Sequence, residues 1–250
     1  MTGLPVVLLH GIGGGARGFA PEISALTAQG LRAVAWDQPG YGDSSLPPAT
    51  DWATVVAAFI AFLDDQGLDR VALVGHSMGG MLAQEVVATH PARVGRLVLA
   101  GTSPAFGGDS EAWRQKFLAE RLAPLDTGQG MAALAPALVA GMVGDNPDPA
   151  GVVRAAACMA AVPEATYRAS LVLLTRFDRR ADLGRIAVPT LVLAGEKDRN
   201  AAPAVMRRMA QAIPDAAYVE LAGCGHLMSF DQPAAFLAAL VDFLHGTGEM

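Results

Sequence analysis

An α/β fold built on a mostly parallel sheet of about six strands is what three features of this 250-residue sequence predict. Short, unbroken apolar runs recur at Val6–Leu9, Ala33–Trp36, Val71–Val74, Leu97–Ala100, Thr190–Leu193 and Tyr218–Leu221. Stretches with apolar residues at helical spacing separate them, at about 20–30, 52–65, 78–89, 204–213 and 233–244. The strands also lack the apolar–polar alternation of a half-exposed sheet, so helices are expected to cover both faces. Right-handed crossovers follow from that arrangement.

One interval breaks the rhythm. Between Thr102 and Arg185 no convincing strand occurs, only helical stretches at about 110–122, 130–142, 149–160 and 164–177, separated by Gly and Pro. A structureless loop of that length does not suit a compact domain. The expected organisation is a core formed by residues 1–102 and 186–250, with residues 103–185 as a helical insertion over the strand ends. The chain has no internal repeat and no low-complexity tract.

Apolar residues make up 52% of the sequence and charged residues 17%, which fits a core-rich globular chain and excludes a disordered one. With 18 basic against 24 acidic residues the formal charge is −6, and no basic run offers a surface for nucleic acid or anionic lipid. Met131 to Val143 is the longest apolar stretch, but it contains Pro136 and Gly141 and is too short to span a bilayer. Cys158 and Cys224 have no metal-ligand spacing, and "MTGLPVVLLHG" has no signal-peptide pattern. Two free thiols in a reducing cytoplasm and a small-molecule substrate are therefore expected.

The chemistry concentrates where the third strand ends. Gly75-His76-Ser77-Met78-Gly79 fits G-x-S-x-G, a sharp strand-to-helix turn that lifts a serine above the sheet edge. Glycines leave room for that turn, and the following helix points its N-terminus at the reacting centre. A serine hydroxyl needs a base, and the base needs an orienting acid. Among five histidines, His10 and His76 lie in glycine turns that shape the site, while His90 and His245 are expected in solvent. His226, in "AGCGHLMSF" after the last strand, is the best base. Asp198, in the loop after "TLVLAG", is the best acid, with Glu196 as competitor and turn-former.

A second glycine turn, "LLHGIGGG", follows the first strand. It does not satisfy the dinucleotide pattern G-x-G-x-x-G, because Ala16 follows Gly15. The better reading is a loop whose backbone N–H groups face the serine, with Ile12 and Met78 as the two donors to an oxyanion.

Together these pieces resemble the α/β-hydrolase superfamily over nearly the whole chain. The matching residues are His10-Gly11, Asp37, Gly40, Gly42 and Ser44 of "DQPGYGDS", Gly75 to Gly80, "GEKD" ending at Asp198, and "GCGHLMSFDQP" around His226. The resemblance implies that residues 103–185 correspond to the family's cap. Ser rather than Asp at position 77 separates the chain from epoxide hydrolases and haloalkane dehalogenases. His76 and Leu227 stand where carbon–carbon hydrolases usually carry Asn and Trp, and Ile12 stands where haloperoxidase-like esterases usually carry an aromatic residue. The chain is most similar to the enol-lactonase and small carboxylesterase end of the superfamily. Family members usually have 20 or more residues, often a hairpin, before the His-Gly loop; here His10 comes almost at once, so the N-terminal hairpin is expected to be missing. The Ala33–Trp36 strand would then form a sheet edge.

The expected activity is hydrolysis of a carboxylic ester or lactone by Ser77, His226 and Asp198, calling on no cofactor or metal. Carbon–carbon bond hydrolysis or lyase chemistry on the same triad, and a weakly catalytic ligand receptor, are the alternatives. Substrate contacts are expected from Trp113, Met142 and Leu227, with Arg154, Arg168 and Arg176 as candidate partners for a carboxylate.

Overall fold

The computed structural model describes residues 3–107 and 110–246, so both chain ends and residues 108 and 109 lie outside the described residues. The elements run β1 Val6–Leu9, α1 Ala20–Ala28, β2 Ala33–Trp36, α2 Trp52–Asp65, β3 Val71–His76, α3 Met78–Thr89 and β4 Val94–Ala100. Four helices follow: α4 Glu111–Asp126, α5 Met131–Ala140, α6 Pro149–Ala160 and α7 Glu164–Leu174. The chain then forms β5 Thr190–Gly195, α8 Pro203–Ala212, β6 Ala217–Leu221, the short α9 Met228–Asp231 and α10 Pro233–His245.

The six strands form one parallel sheet in the order β2-β1-β3-β4-β5-β6. Strand residues are apolar without alternation because each face has its own core. Val7, Leu9, Val71, Leu73, Leu97 and Leu99 pack with α2, α3 and α8 on one side. Val6, Leu8, Ala72, Val74 and Val98 pack with Phe19, Leu26, Phe236 and Leu240 of the α1 and α10 layer on the other. Full burial of a large apolar side chain such as Phe59 or Phe236 contributes about 1.5–3 kcal/mol, so the two layers hold the strand ends rigidly.

As expected, β2 is an edge strand; Trp36 covers it from below by packing 5.2 Å from the Phe59 ring of α2. At the other edge, Glu220 of β6 pairs with Arg207 at 2.9 Å, a charge that discourages further strand pairing.

Local chemistry sets several helix starts. Asp51 accepts from Thr54 N–H at 2.8 Å to begin α2, and Asp148 accepts from Gly151 N–H at 2.8 Å to begin α6. Two features had no sequence signal. One is α9, a single turn directly after His226. The other is an antiparallel bridge between Ala105 and Asp178, which draws the two ends of the helical stretch together. Phe106 N–H donates to Phe177 O at 3.1 Å and Arg179 N–H to Pro104 O at 2.7 Å in the same neck.

Candidate active site

The turn after β3 is as tight as its sequence requires. Ser77 adopts φ 54° and ψ −117°, a strained conformation for a residue with a Cβ. Ala100 O accepts its N–H at 2.9 Å, and the Thr102 hydroxyl donates to its carbonyl at 2.8 Å. A Cβ on Gly75 would lie 2.4 Å from Gly79 O, and one on Gly79 would lie 2.1 Å from Leu9 O. Only glycine permits backbone to pass backbone at those separations.

The loop after β6 brings His226 over the sheet. Its Nε2 lies 3.0 Å from Ser77 Oγ and its Nδ1 2.8 Å from Asp198 Oδ2. Both His226 and Asp198 are buried. Burial raises the Asp198 carboxyl, but the His226 charge, its hydrogen bond and the Ala201 and Asn200 N–H groups outweigh that, leaving it below the usual carboxylate range. Those two amides reach Oδ1 at 2.9 and 2.8 Å. Glu196, the competing acid, is exposed, and accepts from Gly223 N–H at 2.6 Å instead. A hydroxyl, an imidazole and an ionised carboxylate in this series can activate the hydroxyl as a nucleophile.

His76 plays a part that sequence left as turn-shaping. Its Nε2–H donates to His226 O at 2.7 Å, so it fixes the backbone of His226. Burial, and next the charge of His226, pull its pKa down to about 4, which keeps the ring neutral. Cys224, two residues from His226, is pushed up to about 12 by burial and then by Asp231, so its thiol stays protonated.

The loop after β1 crosses close to the serine: a Cβ on Gly11 would lie 3.0 Å from Ser77 Cβ. His10 Nδ1–H donates to Gly11 O at 2.9 Å, and its Nε2 accepts from Gln38 N–H at 3.2 Å. Gln38 Nε2–H donates to His10 O at 2.7 Å, and the Tyr41 hydroxyl donates to Ile12 O at 2.9 Å. The "DQPGYGDS" turn thus braces this loop, with Asp37 Oδ1 accepting from Ala16 N–H at 2.6 Å. As the first residue of α3, Met78 has no intrahelical acceptor for its N–H.

Two spaces open from Ser77. The narrower, with an empty volume of about 510 Å³, is walled by apolar side chains including Phe19, Val139, Met159, Leu227 and Phe230. The wider groove, about 1800 Å³ with the open solvent at its mouth, runs past Phe106, Trp113, Phe117, Leu138, Tyr167 and Leu171. Ile12, Ser77, Met142, Met159 and His226 border both.

Of the six expected substrate contacts, Trp113 lines the groove, Leu227 the narrow pocket and Met142 both. The three arginines line neither. Arg168 is held at the surface by Asp126 at 2.7 Å and Glu164 at 2.8 Å. Arg154 lies 4.9 Å over the Phe230 ring and donates to Ser229 O at 3.4 Å, on the outer side of the pocket wall. Arg176 is exposed near Asp51. Helical position alone did not say which way these long side chains turn. Sequence reasoning also passed over Asp231, whose buried Oδ2 accepts from the N–H groups of Gly144, at 2.8 Å, and Gly225.

A strained serine between a parallel strand and a helix, served by a histidine and an acid from later strand ends, is the arrangement of an α/β hydrolase. Residues 6–240 match the Alpha/beta hydrolase family, and the chain belongs to it. A protein from Variovorax paradoxus named "Putative carbamate hydrolase RutD" is 33% identical over 97% of this chain and 92% of its own length. A 2-hydroxy-6-oxononadienedioate/2-hydroxy-6-oxononatrienedioate hydrolase from Paraburkholderia phymatum is 29% identical over 96% of this chain and 86% of its own. Among solved structures, the enol-lactonase from Burkholderia xenovorans LB400 superposes with a TM-score of 0.88 at 26% identity, over 98% of this chain and 93% of that one. The enol-lactonase similarity expected from the motifs therefore holds.

Proposed function

We propose that this protein is a serine hydrolase that cleaves a carboxylic ester or lactone of a small apolar substrate through an acyl-enzyme. The observation that carries the reading is the Ser77–His226–Asp198 series, with contacts of 3.0 and 2.8 Å on a strained turn. Ser77 Oγ attacks the carbonyl carbon while His226 Nε2 takes its proton, and Asp198 holds the Nδ1–H tautomer. The Ile12 and Met78 amides receive the oxyanion, each contributing about 3 kcal/mol to the transition state. His226 returns the proton to the leaving oxygen; water then enters by the same steps in reverse and frees the acid. Residues 103–185 act as the cap that selects the substrate, over a core of residues 1–102 and 186–250. Two buried, unpaired cysteines accord with a cytoplasmic setting.

Incubation with a fluorophosphonate followed by peptide mass spectrometry should place the adduct on Ser77 and on neither cysteine. Ser77→Ala should abolish hydrolysis of p-nitrophenyl butyrate while leaving the circular dichroism unchanged. Asp198→Asn should lower kcat by about 10⁴-fold, and Glu196→Gln should do little. An adduct on Cys224, or a Ser77→Ala variant that keeps more than a few per cent of activity, would end the acyl-enzyme reading.

A further inference from the structure

The wide groove carries a charge pattern that the narrow pocket lacks. Its lining includes Arg121 from α4 and Arg199 from the loop that holds Asp198, and among the described residues no aspartate or glutamate lines it. Most other arginines near the insertion are spent on carboxylates: Arg168 on Asp126 and Glu164, Arg179 on Glu85 and Asp182, Arg185 on Asp182. Among the described residues neither Arg121 nor Arg199 forms an ion pair. Arg121 instead lies 5.6 Å over the Phe117 ring, which directs its guanidinium along the aromatic wall. A chain of net charge −6 thus sets two unneutralised cations at a groove that ends on Ser77, lined mainly by apolar and aromatic side chains with the uncharged polar Thr102, Ser103 and Asn200 among them. Guanidinium groups recognise planar anions, carboxylates above all.

We propose that the groove between Arg121 and Arg199 is a carboxylate-binding subsite, and that the substrate is an anionic ester or lactone with an apolar arm ending in a carboxylate. The proposal rests on the hydrolase reading and names its substrate class. The neutral, compact part of the substrate occupies the narrow pocket beside Phe19 and Leu227. The charged arm lies along Trp113 and Phe117, with its carboxylate at the groove mouth. This corrects the sequence expectation by residue: the cationic contacts are Arg121 and Arg199, in place of Arg154, Arg168 and Arg176. Because both guanidinium groups are exposed, the subsite acts through modest, salt-screened attraction.

Two matched pairs of esters test it: p-nitrophenyl hemiadipate against p-nitrophenyl hexanoate, and 4-carboxybenzyl butyrate against benzyl butyrate. On at least one pair kcat/KM should favour the anionic member by about 3- to 10-fold at low salt, with the preference shrinking at 0.5 M NaCl. The Arg121→Gln/Arg199→Gln double variant should bring that ratio close to one, whereas Arg168→Gln should leave it as it is. A ratio near one for both pairs in the wild type, or a ratio the double variant does not change, would overturn the subsite. Calorimetry with adipamate and hexanamide separates this proposal from the hydrolase reading, since neither amide needs to be cleaved. Tighter adipamate binding that the double variant loses supports the subsite even if Ser77 takes no fluorophosphonate. Equal binding of the two amides rejects it even if Ser77 does.

Discussion

Two parts of the helical stretch between β4 and β5 are tied to the rest of the chain in different ways. The segment between α5 and α6 is bonded to the histidine loop, backbone to backbone: His226 N–H donates to Met142 O at 2.7 Å, Asp145 N–H to Gly223 O at 2.9 Å and Asp148 N–H to Asp231 O at 2.8 Å. The Asp231 carboxylate binds amides from both sides of that seam. Helix α4 is held by side-chain contacts that include a ring cluster of Phe106, Trp113 and Phe117 and the surface contact of Asp126 with Arg168. Of its residues only Leu125 is buried. Backbone hydrogen bonds fix geometry to a fraction of an ångström, whereas stacked rings on a surface helix tolerate repacking. The first attachment therefore sets the position of His226, and the second shapes the groove beside it.

Breaking the seam should have the largest effect. Asp231→Ala leaves the buried Gly225 N–H and the part-buried Gly144 N–H without their acceptor, at about 1–3 kcal/mol each. Denaturant melts should show about 2–6 kcal/mol of lost stability, and kcat should fall at least ~10-fold, because the residue before His226 has lost its anchor. The matching cut, Arg168→Gln on α7, removes the surface ion pair to Asp126 of α4, with a typical value of ~0.2–1 kcal/mol, and should leave kcat alone. Equal losses from the two substitutions would erase the distinction between the attachments.

The same contrast explains what the sequence could and could not disclose. All six strands and the long helices come from local pattern: apolar runs and helical spacing. The Ser77 turn was legible because its glycines answer a clash between neighbours in the chain, and His226 and Asp198 because they follow strand ends. Asp231 was not, since its partners at positions 144 and 225 meet it only after folding. The arginines failed for a related reason. Arg121 and Arg168 both occupy helix positions of the same stretch, and only the tertiary neighbours, Phe117 for one and Asp126 for the other, decide which faces the groove.

Acid should act on the seam side through His76. Its pKa of about 4 lies below the ordinary 6.5 because burial and the charge of His226 oppose protonation. In that case the unfolded chain takes up a proton that the folded protein refuses. The stability from keeping the ring neutral is complete above pH 6.5 and is lost as pH falls toward 4, about 3 kcal/mol over the window. The buried His10, also lowered, adds in the same direction. Urea unfolding at pH 7.0, 5.5 and 4.5 should show this decline, and His76→Gln, which can still donate to His226 O, should flatten most of it. An unchanged slope in that variant would assign the acid sensitivity elsewhere.

On the α4 side, the effect that matters concerns selectivity rather than stability. Trp113 lies 5.3 Å from Phe117 in a parallel stack on the groove wall, and Met142 stands between groove and narrow pocket. Trimming either changes the space beside a long acyl group more than the space beside acetate. For Trp113→Ala the ratio of kcat/KM between octanoyl and acetyl p-nitrophenyl esters should shift by about 10- to 200-fold, equivalent to roughly 1–3 kcal/mol. Met142→Ala should shift it too, but with a loss of kcat on every ester, since the backbone of that residue anchors His226. Trp52→Ala is the control. Trp52 is buried at the start of α2 with its ring 5.3 Å from Phe177, away from both spaces, so its loss should cost about 3–5 kcal/mol of stability without moving the ratio. If Trp113→Ala lowers all esters in parallel, as Trp52→Ala is expected to lower only the melting point, then α4 is packing for the groove and selectivity lies with the residues around Leu227.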